Sequence, residues 1–117
     1  ARIPTWIQNA QQIKNIPCII ESVTDATIME LRDLALLIVQ QTTGFCFLTS
    51  KIKDKMLFYC AVSSQIGQTI NLKELNAMLK KQFDMRGGGE KLSLQGGGDV
   101  SINQVQLKDA IINWIEK

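Results

Sequence analysis

Two glycine triplets stand near the C terminus, in the stretch RGGGEKLSLQGGG at residues 86–98, which holds six of the eight glycines. Glycine leaves main-chain N–H groups uncovered and lets another molecule approach the backbone closely. Successive uncovered N–H groups followed by the N terminus of a helix bind anions. The second triplet runs into DVSIN, the predicted start of the last helix, so the sequence predicts a site for a phosphate or a nucleic-acid backbone. The structural alternative, a close crossing of two chain segments, is compatible with it.

Basic side chains collect around the triplets. Residues 51–91 hold eight Lys and Arg against four acids, whereas the whole chain carries a net charge of only +2. This excess is too small to bind nucleic acid by charge alone, so it favours backbone contacts beside the glycines. Gln95 is predicted to hydrogen-bond a ribose or a base, or to brace the loop. The predicted basic contacts are Lys80, Lys81, Arg86 and Lys91, for which a solvated helix face is the alternative.

The composition argues against catalysis and metal binding. The sequence has no histidine, which removes the commonest general base and the commonest metal ligand,. Its three cysteines stand in apolar runs without a C-x-x-C spacing, which predicts buried, reduced thiols in a cytoplasmic protein rather than a disulfide framework or a zinc site,. These residues are Cys18, Cys46 and Cys60.

Nucleotide-binding motifs are also missing. Neither triplet is followed by Lys-Ser or Lys-Thr, and no G-x-G-x-x-G follows a strand, so no cofactor is predicted,. No apolar run approaches the roughly 18–20 residues that cross a bilayer, so no membrane partner is predicted,. An enzymatic alternative remains, in which Asp84, Glu90 and Asp99 hold Mg²⁺ beside a nucleotide at the glycines,.

Hydrophobic periodicity predicts the order helix, strand, helix, strand, strand, helix, glycine-rich segment, helix. This order indicates an α/β domain with a small mixed β-sheet and packed helices. Residues 1–16 are predicted to be a connecting helix from an upstream region, helical from Thr5 to Asn15, with the domain itself at 17–117. The runs FCFLTSKI and KMLFYCAVS predict a β-hairpin,. The second helix is predicted to start at Thr24 or Asp25 and to end at Gly44, and the third to start at Asn71. The last helix is predicted to start at Ser101, with much of its apolar face formed by Val105, Ile112 and Ile115.

The paired triplets resemble a motif near the end of the DHH-associated domain, in the form found in alanyl-tRNA synthetases and the longer free-standing alanyl-tRNA editing proteins. DATIMELRDLA resembles a helix of that family, and the hairpin and last helix also fit, so the resemblance spans residues 17–117. Its matching positions are Gly87, Gly88, Gly89, Gln95, Gly96, Gly97 and Gly98. Glu90 and Lys91 stand where the family has a basic residue and Pro, and Leu94 replaces its Ala.

The resemblance implies a DHH-associated-like fold and a tRNA-binding accessory domain that is not catalytic by itself. The implied partners are tRNA, in particular alanine tRNA, and other domains of the parent chain. DHH-family phosphoesterases carry a related domain, commonly with His after the glycines, where this chain has Glu90. A nucleic-acid-binding domain of such a phosphoesterase is therefore an alternative. A second alternative is a protein-interaction or oligomerisation module, including a homodimer, that docks through Trp6 and Ile7.

Overall fold

The computed structural model describes residues 2–117; Ala1, the first residue of the predicted connecting segment, lies outside the described part. Within it the chain forms four helices and six strands. The helices are α1 (Arg2–Gln8), α2 (Ile28–Gln41), α3 (Leu72–Phe83) and α4 (Gln104–Glu116). The strands are β1 (Gln11–Ile13), β2 (Ile16–Ser22), β3 (Phe45–Ile52), β4 (Lys55–Val62), β5 (Arg86–Gly89) and β6 (Ser93–Asp99). None of these helices is long and apolar enough to cross a membrane.

The strands form one mixed sheet in the order β1-β2-β3-β4-β6-β5. Only β2 and β3 are parallel, and α2 connects them as a crossover. The other neighbouring strands are antiparallel. The predicted α/β class, a small mixed sheet with packed helices, is therefore confirmed.

Each face of the sheet carries its own hydrophobic core. On one face, α3 and α4 cover a core that includes the stacked rings of Phe47 and Phe58, whose centroids are 5.1 Å apart. On the other face, α1 packs against β2 while α2 packs against β3 and β4. Leu31, Ala35 and Ile38 of α2 are fully buried there. Because strand side chains alternate, each residue of β5 and β6 belongs to either the α3–α4 face or the α1–α2 face.

The central hairpin agrees closely with the sequence pattern. The predicted run FCFLTSKI is β3, and β4 follows after Lys53 and Asp54. Lys53 takes a positive φ of 56°, the backbone geometry that tight hairpin turns require,. Helix α3 also starts where predicted, because the Asn71 side chain accepts hydrogen bonds from the amides of Lys73 and Glu74,.

The predicted first helix is wrong in its second half. Helix α1 covers Arg2–Gln8, and residues 11–13 form β1 instead, paired with β2. Lys14 and Asn15 adopt positive φ, which makes a two-residue hairpin turn rather than a helix end,. Residues of the predicted connecting segment thus lie in the same sheet as the rest, while the domain boundary at residue 16 stays a prediction.

Three other helix boundaries differ from the predictions. Helix α2 begins after Thr27, which forms a capping box with Glu30, and it ends before Thr42,. Helix α4 is capped by Asn103 rather than Ser101. The buried face of α4 consists of Leu107, Ile111 and Ile115; Val105, predicted to face the core, is 68% exposed, and Ile112 is half-buried.

Gly44 is not the end of helix α2. It lies beside Pro17 of the parallel strand, where a Cβ atom would stand 2.3 Å from the Pro17 carbonyl oxygen. Ser63, which lies next to Gly44 in space, instead hydrogen-bonds the backbone groups that follow the helix. Its hydroxyl accepts a hydrogen bond from the Gly44 amide and donates one to the Thr42 carbonyl oxygen. The close approach of two strands, not helix termination, therefore requires glycine here.

Candidate nucleic-acid interface

The two triplets form a β-hairpin at one edge of the sheet. The first triplet lies in β5, the edge strand, and the second lies in β6, between β4 and β5. No glycine in residues 2–117 has a positive φ. The predicted anion-binding concavity of successive N–H groups is therefore wrong, because N–H groups alternate sides along an extended strand. Nor does the triplet run into the last helix, since a turn separates β6 from Asn103.

Close strand packing explains most of these glycines. A Cβ atom on Gly96 would lie 2.0 Å from the Arg86 carbonyl oxygen, and one on Gly89 would lie 2.2 Å from that of Ser93. On Gly97 it would meet the Met56 carbonyl oxygen at 2.7 Å. The structural interpretation of the triplets, a close crossing of chain segments, thus holds at these positions. Gly87 and Gly98 are similarly confined, by Phe58 and by Ile102.

Gly88 is the exception. A Cβ atom built on it has no neighbour within 4 Å, and its φ lies outside the range that disfavours side chains. The fold therefore places no steric demand for glycine at this position. It lies exposed opposite Gln95, on the α1–α2 face of the hairpin.

Arg86, Gly88, Gln95 and Gly97 together form a surface that we call the open face. They share one side of the hairpin by strand alternation, since Arg86 pairs with Gly97 and Gly88 with Gln95,. Helix α2 packs against β3 and β4, so these residues beyond it stay exposed or half-exposed. The result is a surface in which two glycines alternate with the exposed side chains of Arg86 and Gln95.

The outer side of β5 has unpaired backbone groups. The Glu90 amide donates to the Ser93 carbonyl oxygen at 2.9 Å, so the alternation of an antiparallel ladder turns the amides of Gly87 and Gly89 outward,. Asn76 of α3 donates through Nδ2 to the Gly87 carbonyl oxygen at 3.0 Å. We call the outward amide and carbonyl groups of Gly87 and Gly89 the open edge. Because Asn76 already occupies the Gly87 carbonyl oxygen, the open edge presents two amide donors and one carbonyl acceptor.

The predicted lysines do not converge on the open face. Lys80 and Lys81 are exposed on α3, which covers the opposite face of the sheet. Helical spacing places Lys80 one turn after Asn76, and hence along the open edge, whereas Lys81 points further from it. Lys91 lies in the turn between β5 and β6. Their roles as contacts therefore stay predictions.

Two cationic side chains near the hairpin were counted in the basic excess of residues 51–91 but were not predicted as contacts. Lys55 begins β4 and lies beside the open face, because Leu57, two residues on, pairs with Gly97. Lys73 stands one turn before Asn76 and lines a cleft with Gly89 and Lys91. Alternation along KMLFYCAV could have placed Lys55, but nothing local indicated how α3 lies against β5.

The three acidic residues proposed for Mg²⁺ do not form one cluster within residues 2–117: Asp84 and Asp99 line the same cleft, but Glu90 does not line it. Glu90 stands opposite Ser93 at one end of β6, and Asp99 ends that strand about 20 Å away,. Asp99 instead accepts hydrogen bonds from the Ser101 hydroxyl and amide, which lower its pKa below the ordinary 3.8. Among the described residues, the predicted Mg²⁺ site of all three acids is therefore not formed.

All three cysteines are free and buried. Burial raises the pKa of Cys18 to about 11, and burial also raises the pKa values of Cys46 and Cys60. Thiols kept protonated in this way act as small apolar core residues.

Solved structures share this fold. The C-Ala domain of the Aquifex aeolicus alanyl-tRNA synthetase has a TM-score of 0.85 and 24% identity, covering 93% of this chain and 99% of that domain. A Mg²⁺ complex of RecJ from Thermus thermophilus has a TM-score of 0.70 and 14% identity, and a manganese-bound exonuclease RecJ has 0.71 and 14%. Our chain is covered to 97% and 99% in these two matches but spans only 17% and 27% of the RecJ chains.

No protein-family model and no curated protein sequence matches the chain. The fold defines the class: the chain is an α/β domain with the fold of a synthetase C-Ala domain and of a part of RecJ, which agrees with the predicted resemblance at the level of fold. The synthetase C-Ala domain is itself covered over 99% of its length by this chain, with a TM-score of 0.85.

Proposed function

We propose that this chain is a tRNA-binding accessory domain of an alanyl-tRNA synthetase-related or alanyl-tRNA editing protein, and that it is not catalytic by itself. The support from fold is the likeness to a synthetase C-Ala domain that this chain covers to 99%. The support from the site is the open face, where a backbone with few side chains lies beside Arg86 and Lys55.

Gly88 is the observation that carries the proposal. Its neighbours in the triplets are glycine because the fold leaves no room for a Cβ atom, but at Gly88 the fold leaves that room open. In a strand, glycine costs about 0.5–1 kcal/mol relative to alanine. A close approach of a ligand to the main chain is a physical reason to keep the position bare, and a ribose-phosphate backbone is a ligand of suitable shape and charge.

The same proposal covers the finer expectations. The RNA is alanine tRNA, the remaining contacts are with other domains of the parent chain, and the protein is cytoplasmic. A homodimer through α1, where Trp6 and Ile7 are only half-buried, is compatible with this arrangement.

Alanine at Gly88 tests the proposal, because stability and binding should change in opposite directions. Gly88→Ala should raise the free energy of unfolding by up to about 1 kcal/mol, since the strand gains a side chain that meets nothing,. It should weaken binding of a fluorescent alanine tRNA by at least about fivefold, through steric exclusion of the backbone. Urea unfolding and fluorescence anisotropy measure the two quantities.

The matched control is Gln11→Ala, an exposed substitution on β1 at the other edge of the sheet. It should leave tRNA affinity unchanged. Full tRNA affinity in Gly88→Ala would contradict binding at the open face. No tRNA binding by the unmodified protein at about 50 mM salt would overturn the proposal and favour an interaction module.

The RecJ likeness favours a second candidate, the nucleic-acid-binding domain of a DHH-family phosphoesterase. The supporting observation is the TM-score of 0.70–0.71 to two RecJ structures. Competition separates the two candidates. Single-stranded DNA that displaces labelled tRNA at equal or lower concentration than unlabelled tRNA would favour the phosphoesterase role.

A further inference from the structure

A groove runs between α2 and the glycine hairpin. Leu36 and Val39 of α2 form one wall, and Leu92, in the turn between β5 and β6, lies on the other side. The groove encloses about 450 Å³. Leu92 is 36% exposed, and its Cδ2 end lies against Gly67 outside the groove.

Tyr59 lines this groove and is only 5% exposed. Its hydroxyl makes no hydrogen bond within residues 2–117, yet the only side-chain polar atom there that is buried without a partner is Gln104 Oε1. The Tyr59 hydroxyl is therefore not fully enclosed, and the groove is a cleft that Tyr59 lines. A polar group held in place by a buried ring and left unpaired is ready to bond a ligand.

Several polar side chains line the groove, among them Ser64, Gln65 and Ser93. Arg32 stands on the α2 side and Glu90 on the hairpin side. A phosphate entering the groove would meet both the Arg32 guanidinium, which attracts it, and the Glu90 carboxylate, which repels it, so the groove is not matched to an anion,. An uncharged planar group whose edge carries donors and acceptors suits these partners, and a nucleobase is such a group.

The groove is continuous with the open face. Tyr59 on β4 pairs with Gln95 on β6, and Ala61, also a lining residue, pairs with Ser93. A nucleotide whose backbone crosses Gly88 therefore has the groove within reach of its base.

We infer that this groove binds an unpaired nucleobase of the RNA, and that Tyr59 hydrogen-bonds its edge. The inference rests on the proposed function, since the open face supplies the RNA. It adds the class of RNA: a loop or an end with an unstacked base, rather than an uninterrupted duplex.

Tyrosine NMR tests this directly, because Tyr59 is the only tyrosine in the sequence. The protein with ¹³C-labelled tyrosine is titrated with an RNA stem-loop and with a blunt duplex of the same stem. The stem-loop should shift the Tyr59 ring signal and saturate at the concentration at which anisotropy reports binding. The duplex should leave the signal in place.

Variants give a second readout. Tyr59→Phe keeps the packed ring and removes the hydroxyl, so it should lower stem-loop affinity about threefold to tenfold and leave duplex affinity unchanged. Leu36→Ala, in the groove wall, should also weaken stem-loop binding. Leu37→Ala is the matched control, because Leu37 is the next residue on α2, is 44% exposed and does not line the groove.

The two proposals fail in different ways. A stem-loop that binds without moving the Tyr59 signal overturns the base-binding groove and leaves the proposed function standing. An unmodified protein that binds neither RNA overturns both.

Discussion

At the scale of single residues, one glycine triplet serves two purposes. Gly87 and Gly89 have no room for a side chain, whereas Gly88 between them does. Alternation explains the difference, since Gly88 points to the open face while its neighbours point toward the α3–α4 face,. The fold thus requires glycine at Gly87 and Gly89, whereas at Gly88 the proposed ligand is the reason for it.

Gly96 offers the opposite test to Gly88. A Cβ atom there would lie 2.0 Å from the Arg86 carbonyl oxygen and 2.5 Å from the Gly87 Cα. Both are main-chain atoms in a paired strand, so Gly96→Ala must spread β5 from β6. We expect a loss of about 1–3 kcal/mol in the free energy of unfolding, measured by urea denaturation. A Gly96→Ala protein as stable as the unmodified one would show that β5 and β6 tolerate a side chain between them.

At the scale of elements, the sequence predicted those whose signals are local. The β3–β4 hairpin and α3 were found because apolar runs, a turn and the Asn71 cap all lie within a few residues of one another. The glycine strands could not be found in this way, since glycine is depleted in strands and their pairing depends on β4, more than thirty residues earlier,. The first helix failed because Lys14 and Asn15, an ordinary pair in sequence, take the rare positive φ.

The residues of the candidate site likewise fall into those with a local sequence signal and those without one. The glycines and Arg86 were identified from their types and spacing, and the structure places Arg86 and Gly88 on one surface. Tyr59 and Asn76 gave no sequence signal. Their importance comes from an unpaired hydroxyl in a groove and from a hydrogen bond to the edge strand, which only the packing of distant elements creates.

The end of α2 depends on one residue outside the helix. The Ser63 hydroxyl accepts from the buried Gly44 amide at 2.9 Å and donates to the Thr42 carbonyl oxygen at 3.0 Å. Ser63→Ala should cost about 1–3 kcal/mol, because the Gly44 amide loses its partner in a buried position. Ser64→Ala is the control, since Ser64 is exposed and should change stability by less than about 0.5 kcal/mol,. Equal unfolding midpoints for the two variants would contradict this account of the helix end.

At the scale of the whole molecule, the charge is distributed rather than concentrated. The net charge is only +2, yet Lys55 and Arg86 lie at or beside the open face, and Lys73 lines a cleft with Gly89. The proposed tRNA binding therefore depends on a few phosphate contacts combined with shape, not on a strong general field.

The salt dependence of tRNA binding counts those contacts. The logarithm of the binding constant should fall linearly with the logarithm of salt concentration between about 50 and 200 mM. Arg86→Ala should reduce the magnitude of this slope by about 1, because one phosphate contact is lost. Lys80→Ala should do the same if the RNA also follows the open edge, so the pair of variants maps the path of the backbone. Lys14→Ala, in the β1–β2 turn far from the hairpin, should leave the slope unchanged. If Arg86→Ala and Lys14→Ala gave the same slope as the unmodified protein, the RNA would have to lie elsewhere on the molecule.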